Sequence, residues 1–314
     1  KRMSNAMRQI AYLGPSGSFS EAALRASNVF QAGGVDPVPA KSVLHALDSV
    51  RNGEVAAALV PIENSIEGSV AITLDELASG KRLVIISEVV LPVEFSLLVR
   101  PGTKLSDIHT ISTHPHAQAQ VRNWLSANLP DADVIPSMST SAAAAALMGE
   151  NPAFDAAIGQ ALNSEIYGLE ILADQIGDSS DAYTRFVIVA LPGDLPEPSG
   201  ADKTTLSVFQ RENHPGGLLE ILTEFAVRGI NLTRLESRPT KKTLGDYYFS
   251  VDFEGHVNDL RVEEALMGLH RVCLDIRFLG SYPRHDGRKP VVRAGVTDTD
   301  FETAQAWLDK LKGS

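Results

Sequence analysis

Short apolar runs alternate with polar loops and amphipathic stretches along roughly the first 190 residues. Residues 10–13 are apolar and stop at Gly14-Pro15-Ser16-Gly17, after which Ser18-x-x-Glu21 has the form of a capping box opening a helix. An apolar run over 55–60 leads into a polar loop at 61–68 and a helical pattern over 71–77. Further strands are predicted at 95–99, 110–112, 134–136 and 156–158, and helices at 117–125, 142–147 and 160–167. Pro115 suits the first turn of the helix that follows the 110–112 strand. A β-branched run at 184–191 has the look of a central strand. Strands alternating with helices predict an α/β domain with a mostly parallel sheet, whose ligands bind beyond the carboxyl ends of the strands.

The stretch at 192–202, rich in Pro, Gly and acids, reads as a linker, and the rhythm changes after it. A strand at 204–209, a helix at 215–227, strands at 231–238 and 247–253, a helix at 259–269 and a strand at 274–279 give the βαββαβ order of the ferredoxin-like split βαβ motif. A basic stretch at 284–293 precedes an amphipathic helix carrying Phe301, Ala304, Trp307, Leu308 and Leu311 on one face. Docking onto the preceding domain and a subunit contact are both open for this tail. The expected organisation is a domain at 7–192, a linker at 193–202, a second domain at 203–283 and a tail at 284–314. Ser4-Asn5-Ala6 before Met7 reads as a cloning scar, so the natural chain is expected to start at Met7.

Of the 314 residues, 44% are hydrophobic and 21% charged, which suits a folded chain long enough for two domains. No apolar run approaches the length of a membrane span and no secretory signal is evident, so a cytoplasmic protein is expected. Cys273 is the sole cysteine and sits in an apolar pattern, where a buried inert thiol is expected. The net charge of −11 argues against nucleic acid or an anionic membrane as the main partner. Residues 7–192 hold 10 Lys/Arg against 20 Asp/Glu, so any anion bound there meets few cationic side chains.

Four loops at predicted strand ends combine Gly, Ser, Thr, Asn or His with the start of a helix: 14–20 (GPSGSFS), 61–69 (PIENSIEGS), 112–120 (STHPHAQAQ) and 137–141 (SMSTS). Helix N-termini offer unpaired N–H groups and positive dipole ends, so several converging ones can hold a carboxylate or phosphate without Lys or Arg. Taken singly, each Ser or Thr also fits a plain N-cap. Gly14-x-x-Gly17 is too short for a P-loop and lacks its lysine, which rejects a nucleotide site. His114 and His116 have no further ligands at metal spacing; no metal site is expected, and roles as proton donors or carboxylate partners stand beside a plain surface pair. Arg185 is the only Lys or Arg between Arg122 and the linker, which makes it a candidate to face an anion.

Gly14-Pro15-Ser16-Gly17-Ser18-Phe19-Ser20, Val60-Pro61-Ile62-Glu63-Asn64-Ser65, Ser112-Thr113-His114-Pro115-His116-Ala117, Ser139-Thr140-Ser141-Ala142-Ala143 and Thr184-Arg185-Phe186 together resemble the prephenate dehydratase family. Pro215-Gly216-Gly217-Leu218-Leu219 and Glu236-Ser237-Arg238-Pro239 resemble that family's phenylalanine-sensing ACT domain. The resemblance runs in order from about Arg8 to about Pro283. It implies a two-lobed catalytic domain like a periplasmic binding protein, followed by a ferredoxin-like ACT domain. Two positions depart from the family pattern: His116 stands where Gln is common after His-Pro, and Ala182 where Asn is common, with Asp181 as a stand-in.

The activity implied is conversion of prephenate to phenylpyruvate with loss of CO2 and water, with no cofactor. Thr184, Arg185, His114 and Glu63 are implied as catalytic, and Asn64, Ser65, Ser112, Thr113, His116, Gln120, Ser141 and Phe186 as substrate-binding. In the ACT domain, Asn213, His214, Pro215, Gly216, Gly217, Leu218, Asn231, Leu232, Glu236 and Ser237 are implied to bind L-phenylalanine as allosteric effector in a homodimer or homotetramer. Two rivals remain at this level: the same chemistry on arogenate, and a non-catalytic small-molecule sensor, which would have no use for Thr184-Arg185-Phe186.

Overall fold

The computed structural model describes residues 9–66, 68–241 and 246–313; the segment read as a cloning scar and Met7 lie outside the described residues. In chain order the elements are β1 (Gln9–Leu13), α1 (Phe19–Ala26), α2 (Asn28–Gln31), β2 (Asp36–Ala40), α3 (Val43–Arg51), β3 (Ala57–Asn64), β4 (Gly68–Ser69), α4 (Ala71–Ala78), β5 (Val84–Pro92) and β6 (Ser96–Val99). They continue with β7 (Thr110–Thr113), α5 (Pro115–Gln120), α6 (Arg122–Asn128), β8 (Asp133–Pro136), α7 (Thr140–Leu147), β9 (Ala156–Gly159), α8 (Leu162–Tyr167), β10 (Glu170–Ala173) and β11 (Tyr183–Ala190). The remainder comprises β12 (Asp202–Phe209), α9 (Gly217–Ala226), β13 (Leu232–Pro239), β14 (Tyr247–Glu254), α10 (Leu260–Val272), β15 (Asp275–Pro283) and α11 (Asp298–Lys312). No helix among the described residues is long and apolar enough to cross a membrane.

Two compact units emerge. One runs to Thr73 and resumes over Val89–Phe186; the other is Leu74–Glu88 with Val187–Ser314. The first unit is built on two sheets. One has the order β2-β1-β3-β11-β5, with β4 on β3, and takes in β11 and β5 up to the unit's boundaries; the other has the order β10-β6-β9-β7-β8. β1 pairs in parallel with β2 and β3, and β7 in parallel with β8 and β9, as alternating strands and helices predict. β6 is antiparallel to both of its neighbours. Leu97, Val99, Ile111 and Ile158 from the second sheet pack with Val121 and Leu125 into a closed core.

Several predicted boundaries moved for identifiable reasons. The loop expected at 61–68 is strand as far as Asn64, because Glu63 and Asn64 pair with Ser69 and Gly68. The helix expected over 117–125 breaks at Val121, which leaves helical dihedrals (φ −123, ψ 14) and separates α5 from α6. The capping box forms by half: Ser18 Oγ accepts from Glu21 N at 3.3 Å, while the Glu21 carboxylate turns to Gly17 N at 2.7 Å.

In the second unit the sheet order is β13-β14-β12-β15, antiparallel throughout, which is the ferredoxin-like arrangement. Leu206, Val208, Phe249, Val251 and Phe253 project from one face against Ile221 and Phe225 of α9 and Val262, Ala265 and Leu269 of α10. The other face is polar and buried: Arg234 Nε and Nη2 donate to Asp252 at 3.0 Å, and Thr205 Oγ1 donates to Asp252 Oδ1 at 2.9 Å. Leu74–Glu88 attaches to this sheet through Lys203 and Glu88 (3.0 Å), Arg238 and Asp75 (3.0 Å), and Arg277 with the carbonyls of Ser79 and Gly80. Cys273 is buried in the helix-covered core, as expected. α11 leaves Trp307 and Leu311 exposed.

Candidate active site

Within the first unit, strand ends and helix starts meet around a cleft of about 370 Å³. Three of the four polar loops reach it at helix starts. Ser18 caps α1; its Oγ also donates to Leu13 O at 2.7 Å, which fixes the turn leaving β1. His114 caps α5: its Nδ1 accepts from His116 N at 3.2 Å, so a neutral ring carries its proton on Nε2. Ser139 caps α7, accepting from Ala142 N at 3.0 Å. The fourth loop contributes Pro61 and Asn64 from β3.

Thr184 and Phe186 face the cleft from β11. Asn64 Nδ2 donates to Thr184 Oγ1 at 3.0 Å, and Asn64 Oδ1 accepts from Ile66 N at 2.8 Å, which fixes the orientation of the amide. Because a hydroxyl has one proton, accepting from Asn64 leaves the Thr184 O–H to donate elsewhere. Ser141 is buried in the wall, and its hydroxyl has no partner among the described residues. Apolar and aromatic side chains line much of the remaining wall, with Phe19 and Phe95 in edge-to-face contact at 5.7 Å. No Asp, Glu, Lys or Arg lines the cleft among the described residues.

Of the residues assigned from sequence, Asn64, His114, His116, Gln120, Ser141, Thr184 and Phe186 line the cleft. Arg185 and Glu63 do not. Side chains alternate along a strand, so the faces that take Thr184 and Phe186 exclude Arg185, whose guanidinium lies 3.6 Å from the Glu63 carboxylate. Ser112 and Thr113 are buried behind the wall, with Thr113 Oγ1 donating to Ile158 O at 2.9 Å. Ser65 ties its loop to the start of β11, its Oγ accepting from Tyr183 N at 2.9 Å. Asp181 lies outside the cleft. The sequence pattern points to the 14–20 and 137–141 loops but assigns no site role to Ser18, Phe19, Ser20, Met138 or Thr140, and Val93 and Phe95 carry no signal beyond strand hydrophobicity.

A second cleft, of about 280 Å³, lies in the second unit. His214 and Gly217, from the ten residues implied for the effector, line it together with Gln210, Glu220 and Cys273. A Cβ on Gly217 would lie 2.6 Å from Gln210 Nε2, so a larger residue there would have to displace the Gln210 side chain. His214 Nδ1 is 3.1 Å from Glu212 O and Nε2 is 3.2 Å from Glu220 Oε1. Two acceptors favour the imidazolium, and the Glu212 carbonyl and then the Glu220 carboxylate raise the pKa of His214. Asn213, Pro215, Gly216 and Leu218 share the loop or the α9 start without lining this cleft, and Asn231, Leu232, Glu236 and Ser237 lie on or beside edge strand β13. Burial pushes the Cys273 thiol up to about 11.

A model of the prephenate dehydratase family matches residues 10–193, and a model of the ACT domain matches residues 204–271. The prephenate dehydratase of Amycolatopsis methanolica is 47% identical over 303 residues, covering 96% of this chain and 97% of that protein. The structure of prephenate dehydratase from Arthrobacter aurescens in complex with L-Phe has 48% identity and a TM-score of 0.89, covering 98% of this chain and all (100%) of that chain. GqqA, described as a novel type of quorum quenching acylase, is 33% identical with a TM-score of 0.77, covering 88% of this chain and 98% of its own. Matched across both domains, the chain belongs to the prephenate dehydratase family and carries a C-terminal ACT domain.

Proposed function

We propose that this enzyme converts prephenate to phenylpyruvate in the cleft of the first unit and that L-phenylalanine regulates it through the ACT domain. The observation that carries the catalytic reading is the Asn64–Thr184 hydrogen bond at 3.0 Å in a donor-rich cleft without charged side chains among its described residues. Prephenate has a ring carboxylate, a pyruvyl side chain and a hydroxyl on the opposite ring carbon. When the carboxylate leaves as CO2, its bonding electrons enter the ring; the hydroxyl departs with one proton as water, and the ring becomes aromatic. The enzyme's task is to orient the substrate and assist that departing oxygen.

Thr184, oriented by Asn64, donates to the leaving oxygen. A threonine hydroxyl is too weak an acid to supply the proton by itself; His114 is assigned as the source, in an imidazolium form that takes up a proton at Nδ1 in place of the cap bond from His116 N and gives one up from Nε2. The Ser141 hydroxyl, the α1 and α7 starts, His116 and Gln120 receive the carboxylates, with hydroxyl and N–H donors replacing cations. Arg185 and Glu63 hold β11 beside β3. Arogenate carries an ammonium in place of the side-chain ketone, and no carboxylate among the described lining residues would pair with it. That supports prephenate over arogenate.

The effector reading draws on the L-Phe complex of the Arthrobacter aurescens relative. On this reading L-phenylalanine binds at the Asn213–Leu218 loop and β13 of paired ACT domains, in a cytoplasmic homo-oligomer whose arrangements differ in affinity for the amino acid. The purified protein is expected to form phenylpyruvate, read by its absorbance in alkali, at a rate that L-phenylalanine changes. No turnover would refute the catalytic reading, and no heat of L-phenylalanine binding at millimolar concentration would leave the ACT domain a pairing role alone.

A further inference from the structure

One buried carboxylate in the first unit lies outside the cleft yet grips the loop that forms one of its walls. Glu21 is 3% exposed. Its Oε2 accepts from Gly17 N at 2.7 Å, Ser16 Oγ at 3.0 Å and Tyr12 OH at 3.1 Å, and its Oε1 accepts from Arg25 Nε at 2.9 Å and Nη2 at 2.6 Å. Burial alone would raise the pKa of Glu21, but the Gly17 N–H, the Arg25 guanidinium and the two hydroxyls outweigh it and keep the group ionised. From the other side, Tyr167 OH donates to Ser16 O at 2.8 Å. Asn163, with its amide turned to satisfy both ends, donates to Gly17 O at 3.1 Å. Gly17 itself has φ +81.

Ser16 and Gly17 do not line the cleft; their neighbours Gly14, Pro15, Ser18, Phe19 and Ser20 do. The leaving-group donors Asn64 and Thr184 stand on different elements, β3 and β11. We propose that Glu21 is a positioning residue that fixes the 14–20 wall and so sets the affinity for substrate, a role that rests on reading the cleft as the prephenate site. Loosening this wall weakens binding in ground and transition states alike, which raises KM and spares kcat.

Glu21→Gln keeps the shape but sets an NH2 against a donor, whether it faces Arg25 or the Gly17 group. In the full-length enzyme, KM for prephenate is expected to rise about 10- to 100-fold with kcat within about threefold of wild type. A purely structural role would lower the active fraction, so that kcat falls at constant KM; constant KM therefore overturns the proposal. Tyr12→Phe removes one of the five donors without altering a lining residue, and a KM rise of about threefold is expected; it carries the same test if Glu21→Gln fails to fold. Amide hydrogen exchange on the same proteins needs no substrate. Faster exchange confined to residues 14–20 in Glu21→Gln is expected, and unchanged exchange at Gly17 and Ser18 overturns the proposal even if the wild type does not turn over prephenate, a result that would refute the reading of the cleft instead.

Discussion

Thr184→Val isolates the hydroxyl assigned to the leaving oxygen. Valine keeps the β-branched shape that suits β11 and leaves the alternation of Phe186 and Arg185 intact. The variant loses the hydrogen bond from Asn64 Nδ2, but Asn64 Oδ1 still accepts from Ile66 N at 2.8 Å, so the amide stays oriented. Thr184 is half-buried, and losing that bond should lower stability by about 1 kcal/mol. Losing a donor aimed at charge that develops in the transition state costs far more: kcat should fall about 10²- to 10³-fold, or about 3–4 kcal/mol in the barrier. Thr184→Ser, which keeps the hydroxyl, should remain within about tenfold of wild type. Initial rates of phenylpyruvate formation, with melting temperatures measured beside them, separate the two effects. A Thr184→Val enzyme within about threefold of wild-type kcat would refute the donor role.

Asp252→Asn removes the carboxylate that neutralises the buried Arg234 guanidinium on the polar face of the ACT sheet, and thermal or urea denaturation should show a loss of about 3 kcal/mol; a change below about 1 kcal/mol would contradict it. The depressed pKa of Glu21 means that its stabilising contribution is full above the ordinary glutamate range and is lost as pH falls through the lower folded value. The melting-temperature gap between wild type and Glu21→Gln should therefore shrink as pH is lowered from about 6 to about 3, and a constant gap would refute this. Burial holds Cys273 as a neutral thiol up to about pH 11, so thiol reagents should label the native protein slowly at neutral pH and fully once it unfolds.

Much of the α/β order was legible because apolar runs and caps are local signals. The Ser18 and Pro115 helix starts fall where the sequence pattern places them, whereas α7 starts at Thr140, two residues before the helix expected at 142–147. The failures involve partners distant in sequence or competing local geometry. Strand β2 contains Pro37 and Pro39 and is recognisable mainly by its pairing with β1 at the sheet edge. Glu21 satisfies the spacing of a capping box, yet the turn at Gly17 captures its carboxylate. Arg185 drew attention as an isolated cation, although the strand predicted at 184–191 already forbids adjacent residues from sharing a face. The shortage of cations in the first domain proved informative at the cleft: hydroxyls, an amide pair and two histidines stand there, and the lone arginine is engaged with Glu63 instead.

The central claim is that this neutral, donor-rich cleft acts on prephenate, and it is tested most directly by measuring kcat/KM for prephenate and arogenate side by side on the wild-type enzyme. Prephenate should be preferred by at least about tenfold, since arogenate's ammonium has no lining carboxylate among the described residues to replace its lost hydration. Equal or better turnover of arogenate, or turnover of neither, would contradict the account.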